Sequence, residues 1–230
     1  MQKAYKAILF DLGGVLIDID YHATERAFEK LGVSDFKERY SQLAQNELFD
    51  RFECGEISPQ HFVNLLLPYT QSGTTPNQIV AAWNAMLGAF PTEKLKLIEH
   101  LEKTTPLFML SNTNELHWIE VERAWRKVSD EPLQHFFKKI YLSHEIGQRK
   151  PHPETFEWVC QQMGFEPADV LFIDDTPQHI EGAKKAGLHT LLMDVHPEQL
   201  KDFLEQHQIC QIKNKVQQLE KERSQNLEIL

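Results

Sequence analysis

Residues 6–16 read KAILFDLGGVL, an apolar run that ends in one carboxylate and two glycines. Such a run is typical of a buried strand, and its end brings Asp11 to the carboxyl end of that strand. The glycines allow a sharp turn and a close approach of the backbone to a ligand. Because ligands of open α/β sheets bind at the carboxyl ends of strands, Asp11 is the first candidate for chemistry.

Apolar runs of strand length recur along the chain, and helical patterns separate the later ones. The predicted strands are 6–10, 107–110, 139–142, 170–173 and 190–193, and the predicted helices of this region are 93–103, 115–127, 153–163 and 178–186. This alternation predicts an α/β fold with a Rossmann-like parallel sheet core that helices cover on both faces.

The stretch between the first two predicted strands is too long for one crossover and contains helical patterns without a clear strand. These patterns are 23–31, 35–44, 59–67 and 77–87. They predict a small helical cap inserted after the first strand, where it can close over a site as a lid does. The predicted division is a core of 1–18 and 89–200, a cap of 19–88 and a C-terminal helical tail of 201–230.

The tail contains a short heptad-like spacing of Ile209, Ile212, Val216 and Leu219. The run is too short for a confident coiled coil. A helix docked on the core, or a frayed tail, is favoured over a dimerising role, so we expect a monomer or a homodimer.

Composition excludes several classes of protein. The 230 residues carry a formal net charge of −10, which is unlike a nucleic-acid binder. Cys54, Cys160 and Cys210 are widely spaced, which argues against a disulfide framework or a cysteine zinc site. No signal peptide and no apolar run of transmembrane length is visible. We therefore expect a cytoplasmic protein without a membrane or nucleic-acid partner.

Reactive side chains follow three of the predicted strands. The first strand ends at Asp11, the second leads into Ser111 and Asn112, and the fourth leads into Asp174 and Asp175. Parallel strands bring such ends to one edge of the sheet. Clustered carboxylates repel one another unless a cation lies between them, and oxygen ligands favour Mg²⁺. Lys150, in a loop before a helix, could reach the same edge and balance an anion.

Each of these residues also has an ordinary structural explanation. Ser111 or Asn112 alone would cap the next helix, and Asp174-Asp175 could cap the helix that follows. Lys150 alone would be a solvated surface charge. Taken together, in this order on alternating strands, they indicate a functional site.

The four motifs resemble those of the haloacid dehalogenase-like superfamily of hydrolases. They are FDLGGVL at 10–16, LSNT at 110–113, Lys150-Pro151, and FIDD at 172–175 followed by Glu181-Gly182-Ala183. Within the superfamily the chain is most similar to the branch of α-D-glucose-1-phosphate phosphatases, through Asp18-Ile19-Asp20, LSNTN at 110–114 and the stretch 140–151.

The resemblance implies a Mg²⁺-dependent phosphatase for small phosphorylated metabolites, such as glucose 1-phosphate. Asp11 would be the nucleophile, forming an aspartyl-phosphate that water hydrolyses. The implied Mg²⁺ ligands are Asp11, Asp175 and the carbonyl of Gly13, with Asp174 supporting the metal site. Ser111 and the backbone N–H of Asn112 would bind phosphate, and Lys150 would neutralise the charge of phosphate and nucleophile.

Gly13 departs from the family pattern, in which this position is the Asp that acts as general acid and base. General acid and base catalysis accelerates a reaction by about 10²–10⁴-fold. We therefore expect substrates with better leaving groups, such as sugar 1-phosphates, to be favoured. Asp18 or Asp20 could substitute as proton donor, although a turn or a helix cap is the preferred explanation.

The cap segment FDRFECGEIS, residues 49–58, could place Arg51, Glu53 or Glu56 over the site. A helix end followed by a glycine turn, with Ser58 capping the next helix at Pro59, explains it equally well.

Two other functions compete with a phosphatase. One is a metal-free dehalogenase that uses Asp11, against which the Asp174-Asp175 pair argues. The other is a catalytically weak binding or regulatory protein, for which Gly13 and the polar tail are the main support.

Overall fold

The computed structural model describes residues 5–33 and 48–209. They form a parallel sheet with the order β3-β2-β1-β4-β5, which confirms the predicted α/β class. The strands are β1 Ala7–Phe10, β2 Leu107–Ser111, β3 Lys139–Leu142, β4 Val170–Asp174 and β5 His189–Leu192. Every strand coincides with a predicted one to within a residue at each end.

Helices connect and cover these strands. The described α-helices are α1 Tyr21–Lys30, α2 Leu48–Glu53, α3 Pro59–Leu66, α4 Pro76–Asn84, α5 Thr92–Leu101, α6 Glu115–Trp125, α7 Ser143–Ile146, α8 Pro153–Met163, α9 Pro177–Lys185 and α10 Leu200–Gln206. Short 3₁₀ turns occupy Leu67–Tyr69, Leu133–His135, Pro167–Asp169 and Pro197–Gln199. The predicted helix 35–44 lies outside the described residues.

The central strand β1 is buried on both faces of the sheet. Ile8 and Phe10 join the hydrophobic cluster on one face, and Ala7 and Leu9 join the cluster on the other. Helices α5, α6 and α10 cover the first face, and α8 and α9 cover the second. This double burial explains why β1 reads as a continuous apolar run.

Helices α1 to α4, which lie between β1 and β2, pack around a separate aromatic cluster. The rings of Phe52 and Phe62 stack with centroids 4.1 Å apart, and Phe49 stacks on Trp83 at 5.5 Å. Trp83, predicted to be a core residue, is buried there. The boundaries of 19–88 predicted for this cap stay a prediction.

Trp83 also connects this cap cluster to the helix that follows β2. Its ring stacks on His117 of α6 with centroids 5.0 Å apart, and its carbonyl lies 3.2 Å from His117 Nε2. The two linking segments pair at an isolated antiparallel bridge between Ile19 and Leu87. The cap is therefore docked next to the carboxyl end of β2.

The described part of the predicted tail packs on the core. Leu200, Phe203 and Leu204 of α10 are buried in the first hydrophobic cluster, and Ile209 packs against it. The rest of the heptad-like run lies outside the described residues. Cys54 and Cys160 are free thiols. Over 5–33 and 48–209, every helix is too short or too polar to span a bilayer.

Gly182 allows α9 to approach the loop that contains Lys150. A Cβ at this position would overlap the carbonyl oxygen of Pro151. A Gly→Ala substitution stabilises an ordinary helix. Gly182→Ala should instead lower the free energy of unfolding, measured by urea denaturation, by about 1–3 kcal/mol. Lys185→Ala in the same helix should change it by less than about 0.5 kcal/mol. A stabilised Gly182→Ala protein would contradict this packing.

Candidate active site

Three predicted site residues meet at the carboxyl edge of the sheet. Asp11 directly follows β1, Ser111 is the last residue of β2, and Asp174 is the last residue of β4. They lie side by side because β1 pairs with β2 on one side and with β4 on the other. The Asp11 amide also donates to the Ile173 carbonyl at 2.9 Å, which fixes the strand end.

Lys150 joins two of these carboxylates. Its Nζ lies 2.7 Å from Asp11 Oδ1 and 2.7 Å from Asp174 Oδ2. The Lys150 side chain is 0% exposed, so it is not the solvated surface charge of the alternative explanation. Burial lowers the pKa of Lys150, but the two carboxylates outweigh burial and raise it, which keeps the ammonium charged.

Asn112 holds the backbone of Lys150 in place. Asn112 Nδ2 donates to the Lys150 carbonyl, and the Lys150 amide donates to Asn112 Oδ1, both at 2.9 Å. The helix-capping alternative fails here, because the N-cap of α6 is Asn114. The Asn112 side chain is committed to this loop, and the predicted contact of its backbone N–H with phosphate remains a prediction.

Asp174 is fully enclosed by donors. Besides Lys150, it accepts the Thr176 amide at 2.7 Å, and His179 Nδ1 lies 3.0 Å from both carboxylate oxygens. Burial opposes ionisation of Asp174, but Lys150 and His179 outweigh it and lower its pKa to about 2. Sequence reasoning missed His179, although its place in the first turns of the helix after Asp174 was a usable signal.

Asp175 approaches the loop after β1. Gly14 has a φ of +71°, and a Cβ there would overlap the Asp175 carboxylate. Burial raises the pKa of Asp175, and the neighbouring Asp174 raises it further. Burial also raises the pKa of Asp11 to about 7 against the charge of Lys150. A cation in addition to the Lys150 ammonium would therefore reduce the electrostatic repulsion acting on the Asp11 and Asp175 carboxylates.

The donor set fits a hard divalent cation. Lys150 and His179 both engage the Asp174 carboxylate, whereas Lys150 is the described cation that pairs with Asp11. Asp11, Asp175 and the carbonyl of Gly13 are therefore oxygen donors that could hold the divalent cation. Ligand atoms of Asp11, Asp174 and His179 lie within 4.8 Å of one another, and this group of described residues does not include Asp175.

A cavity of about 340 Å³ lies over these residues and extends to the cap. Its apolar lining includes Ile17, Ile19, Trp83, Met86, Leu87 and Val121, and its polar lining includes Asp11, Tyr21, Glu53, Ser111, Asn112, Arg149, Lys150, Asp175 and His179. Sequence reasoning did not single out Tyr21 or Arg149. We call the lining by Asp11, Ser111, Lys150 and Asp175 at the sheet edge the floor of the cavity, and the lining by Tyr21 and Glu53 of the cap its roof.

No side chain extends into the cavity from Gly13. A Cβ at this position would meet Ile19 Cγ1 at 3.1 Å, so Ile19 fills the neighbouring space. Asp20 caps α1 by accepting the Ala23 amide at 3.2 Å and pairs with Arg26 at 2.8 Å. Asp18 and Asp20 are both absent from the described lining of the cavity, which favours their structural explanation.

The cap segment 49–58 contains both a helix cap and a residue that lines the cavity. Ser58 caps α3 by accepting the His61 amide at 3.3 Å. Arg51 and Glu56 pair with each other at 3.1 Å with exposed side chains and do not line the cavity. Of the three cap candidates, Glu53 alone is among the described residues that line it. Burial raises the pKa of Glu53 to about 7 against the charge of Lys150.

Comparison with known proteins identifies relatives over most of the chain. The family model of haloacid dehalogenase-like hydrolases matches residues 5–187. A D-ribitol-5-phosphate phosphatase of Bacteroides thetaiotaomicron is 31% identical over 185 residues, which cover 80% of this chain and 90% of the relative.

Solved structures give the same result. A crystal structure of a family enzyme from Bacteroides thetaiotaomicron, in complex with magnesium and inorganic phosphate, superposes with a TM-score of 0.77 at 34% identity and covers 82% of this chain and 94% of its own. A Porphyromonas gingivalis protein described as a predicted hydrolase of this family has a TM-score of 0.77 at 31% identity, with 89% and 98% covered.

Binding of a divalent cation to this edge should stabilise the protein. Saturating Mg²⁺ should raise Tm by several degrees, since a ligand at 100 times its Kd adds about 2.7 kcal/mol. The shift should be larger at pH 8 than at pH 6, because Asp11, with its pKa raised to about 7, must lose its proton to bind metal. Thermal melts with and without chelator measure both effects.

Asp175→Asn should abolish the Mg²⁺-dependent shift, whereas Asp202→Asn on the exposed side of α10 should retain it. An unchanged shift in the Asp175→Asn protein would place the cation elsewhere.

Proposed function

The chain belongs to the haloacid dehalogenase-like hydrolases, and we propose that it is a Mg²⁺-dependent phosphatase that acts on small phosphorylated metabolites through an aspartyl-phosphate on Asp11. The observation that carries this proposal is the buried Lys150 ammonium, 2.7 Å from both Asp11 and Asp174 on the cavity floor. Relatives named as phosphatases, and one solved with magnesium and phosphate, support it.

In the proposed reaction a carboxylate oxygen of Asp11 attacks phosphorus. The new O–P bond forms as the bond from phosphorus to the ester oxygen breaks, and the departing oxygen takes a proton from water to leave as the alcohol. Water then attacks the aspartyl-phosphate, which releases inorganic phosphate and restores Asp11. Lys150 stabilises the negative charge of the transferring group. The Ser111 hydroxyl and the backbone N–H of Asn112 orient its oxygens.

Asp11, Asp175 and the Gly13 carbonyl are the proposed ligands of Mg²⁺, with Asp174 supporting them. Bound Mg²⁺ supplies positive charge that offsets the repulsion between these carboxylates and a phosphate dianion. Glycine retains the backbone carbonyl that this role needs at position 13.

The proposed substrates are phosphorylated sugars and related alcohols. With Gly13 in place of a proton donor, the departing oxygen depends on its own acidity and on water. The anomeric hydroxyl of a sugar 1-phosphate is a better leaving group than an ordinary alcohol, which favours glucose 1-phosphate within this class. The relative named for D-ribitol 5-phosphate supports the wider class of polyhydroxy phosphates. A cytoplasmic location and a monomeric or homodimeric state are part of the same proposal.

Asp11→Asn should reduce turnover of p-nitrophenyl phosphate by at least about a thousandfold, because the amide cannot act as nucleophile. Chelation of Mg²⁺ should abolish wild-type turnover, and Asp20→Asn, which keeps a good helix cap, should leave it unchanged. A phosphate-release assay measures all three. Fluoride release from fluoroacetate without metal would support a dehalogenase instead, and inactivity in both assays would support a binding protein.

The leaving-group argument predicts that kcat/KM for glucose 1-phosphate exceeds that for glucose 6-phosphate by about tenfold or more. The two esters present the same sugar and differ in the acidity of the departing hydroxyl. Equal or faster hydrolysis of the 6-phosphate would refute the argument without affecting the role of Asp11.

A further inference from the structure

The carboxylate of Glu53 on the roof of the cavity has no part in the chemistry proposed above. Glu53 is the last residue of α2, its side chain is 23% exposed, and it lines the same cavity as Asp11. A carboxylate this close to a site for an anionic ester needs an explanation.

Contacts between the cap and the core fix the position of Glu53. Arg149 Nη2, from the loop before Lys150, lies 2.9 Å from Glu53 Oε2, and Arg149 Nη1 pairs with Asp50 one turn earlier in α2. After α2, Gly55 packs so closely on the core that a Cβ there would overlap the His144 carbonyl oxygen. The end of α2 is therefore held against the core at two points.

Glu53 lines the cavity that the leaving group of a substrate would occupy. In-line displacement requires the departing oxygen opposite the attacking one. Asp11 lies on the floor at the end of β1, so the alcohol part of the ester extends toward the roof that Glu53 and Tyr21 line. At about 340 Å³ the cavity is near the lower end of the range for small-molecule sites, which keeps that alcohol close to its walls.

The charges on the roof disfavour a second anionic group on the substrate. Among the described residues that line the cavity, the lysine and the arginine are both engaged, Lys150 with Asp11 and Arg149 with Glu53. His117 is neutral, since burial lowers its pKa to about 4, and His179 is bonded to Asp174. A carboxylate on the leaving group would face Glu53 with none of these described cations to receive it.

Hydroxyl groups suit the same surroundings. A hydroxyl can donate to Glu53 without displacing Arg149, because a carboxylate has lone pairs for several donors. The opposite lining of Ile19, Trp83, Met86 and Leu87 can contact the C–H groups of a sugar or alditol chain. The roof thus matches an alcohol that carries hydroxyls and no charge.

Building on the proposed phosphatase function, we propose that Glu53 selects phosphate monoesters of neutral polyhydroxy compounds and excludes phosphorylated carboxylic acids. It is a specificity-determining residue that contacts the alcohol part of the substrate, and Arg149 is the residue that positions it.

The test compares matched substrates that differ only in the terminal group. Glycerol 3-phosphate is paired with 3-phosphoglycerate, and sorbitol 6-phosphate with 6-phosphogluconate, at pH 8 and with Mg²⁺. Wild-type kcat/KM should favour the neutral member of at least one pair by tenfold or more. Glu53→Gln, which keeps the size of the side chain, should reduce that ratio by about tenfold, mainly through KM for the acid.

Glu56→Gln is the matched control, because Glu56 lies in the same segment but pairs with Arg51 away from the cavity. It should keep the wild-type ratio. The proposal would be overturned if Glu53→Gln kept the wild-type ratio of kcat/KM for neutral and acidic esters. Equal loss of kcat/KM for both members of each pair would overturn it as well.

Binding separates this proposal from the phosphatase function. Calorimetric titration of the Asp11→Asn protein with the same four esters, with and without Glu53→Gln, reports selectivity without turnover. A preference for neutral esters that Glu53→Gln removes would support the role of Glu53 even if the wild-type protein hydrolysed none of them. Equal affinity for both members of each pair in both proteins would refute it.

Discussion

The placement of one buried ammonium group constrains the whole site. Lys150 Nζ is enclosed with Asp11 and Asp174, whose side chains are 9% and 0% exposed. A buried charge that loses its partner costs about 3–5 kcal/mol, so the loop, the two strand ends and the ammonium must form together. The strand order, the reciprocal bonds from Asn112 and the close approach of α9 at Gly182 all keep Lys150 at this point.

The same arrangement gives a physical reason for a metal ion at this edge of an acidic protein. Three carboxylates, Asp11, Asp174 and Asp175, face the single ammonium of Lys150, which two of them already engage. Burial raises the pKa of Asp11 to about 7 against the charge of Lys150, and the neighbouring Asp174 raises it as well. A bound divalent cation would offset the negative charge that Lys150 leaves uncompensated at this edge, which reduces its repulsion of a dianion.

Local patterns in the sequence predicted the parts of the molecule that depend on local physics. The strands could be read from apolar runs, and Asp11, Ser111 and Asp174 from their places at strand ends. Helix α2 has six residues, too few for a periodic signal. The pairing of Arg149 with Asp50 joins residues 99 positions apart, and the contact of Ile19 with Gly13 depends on the path of the chain into the cap. Such long-range contacts have no local signature.

The contact between Gly13 and Ile19 also bears on how the two positions respond to substitution. Because Ile19 Cγ1 would lie 3.1 Å from any Cβ at position 13, the glycine and the isoleucine form one packing unit. An acid at position 13 without a change at position 19 would compress that unit, and a smaller residue at position 19 alone would leave a gap in the wall of the cavity. A change at either position alone therefore disturbs the packing of the other, so the effects of substitutions at positions 13 and 19 on stability should not be additive.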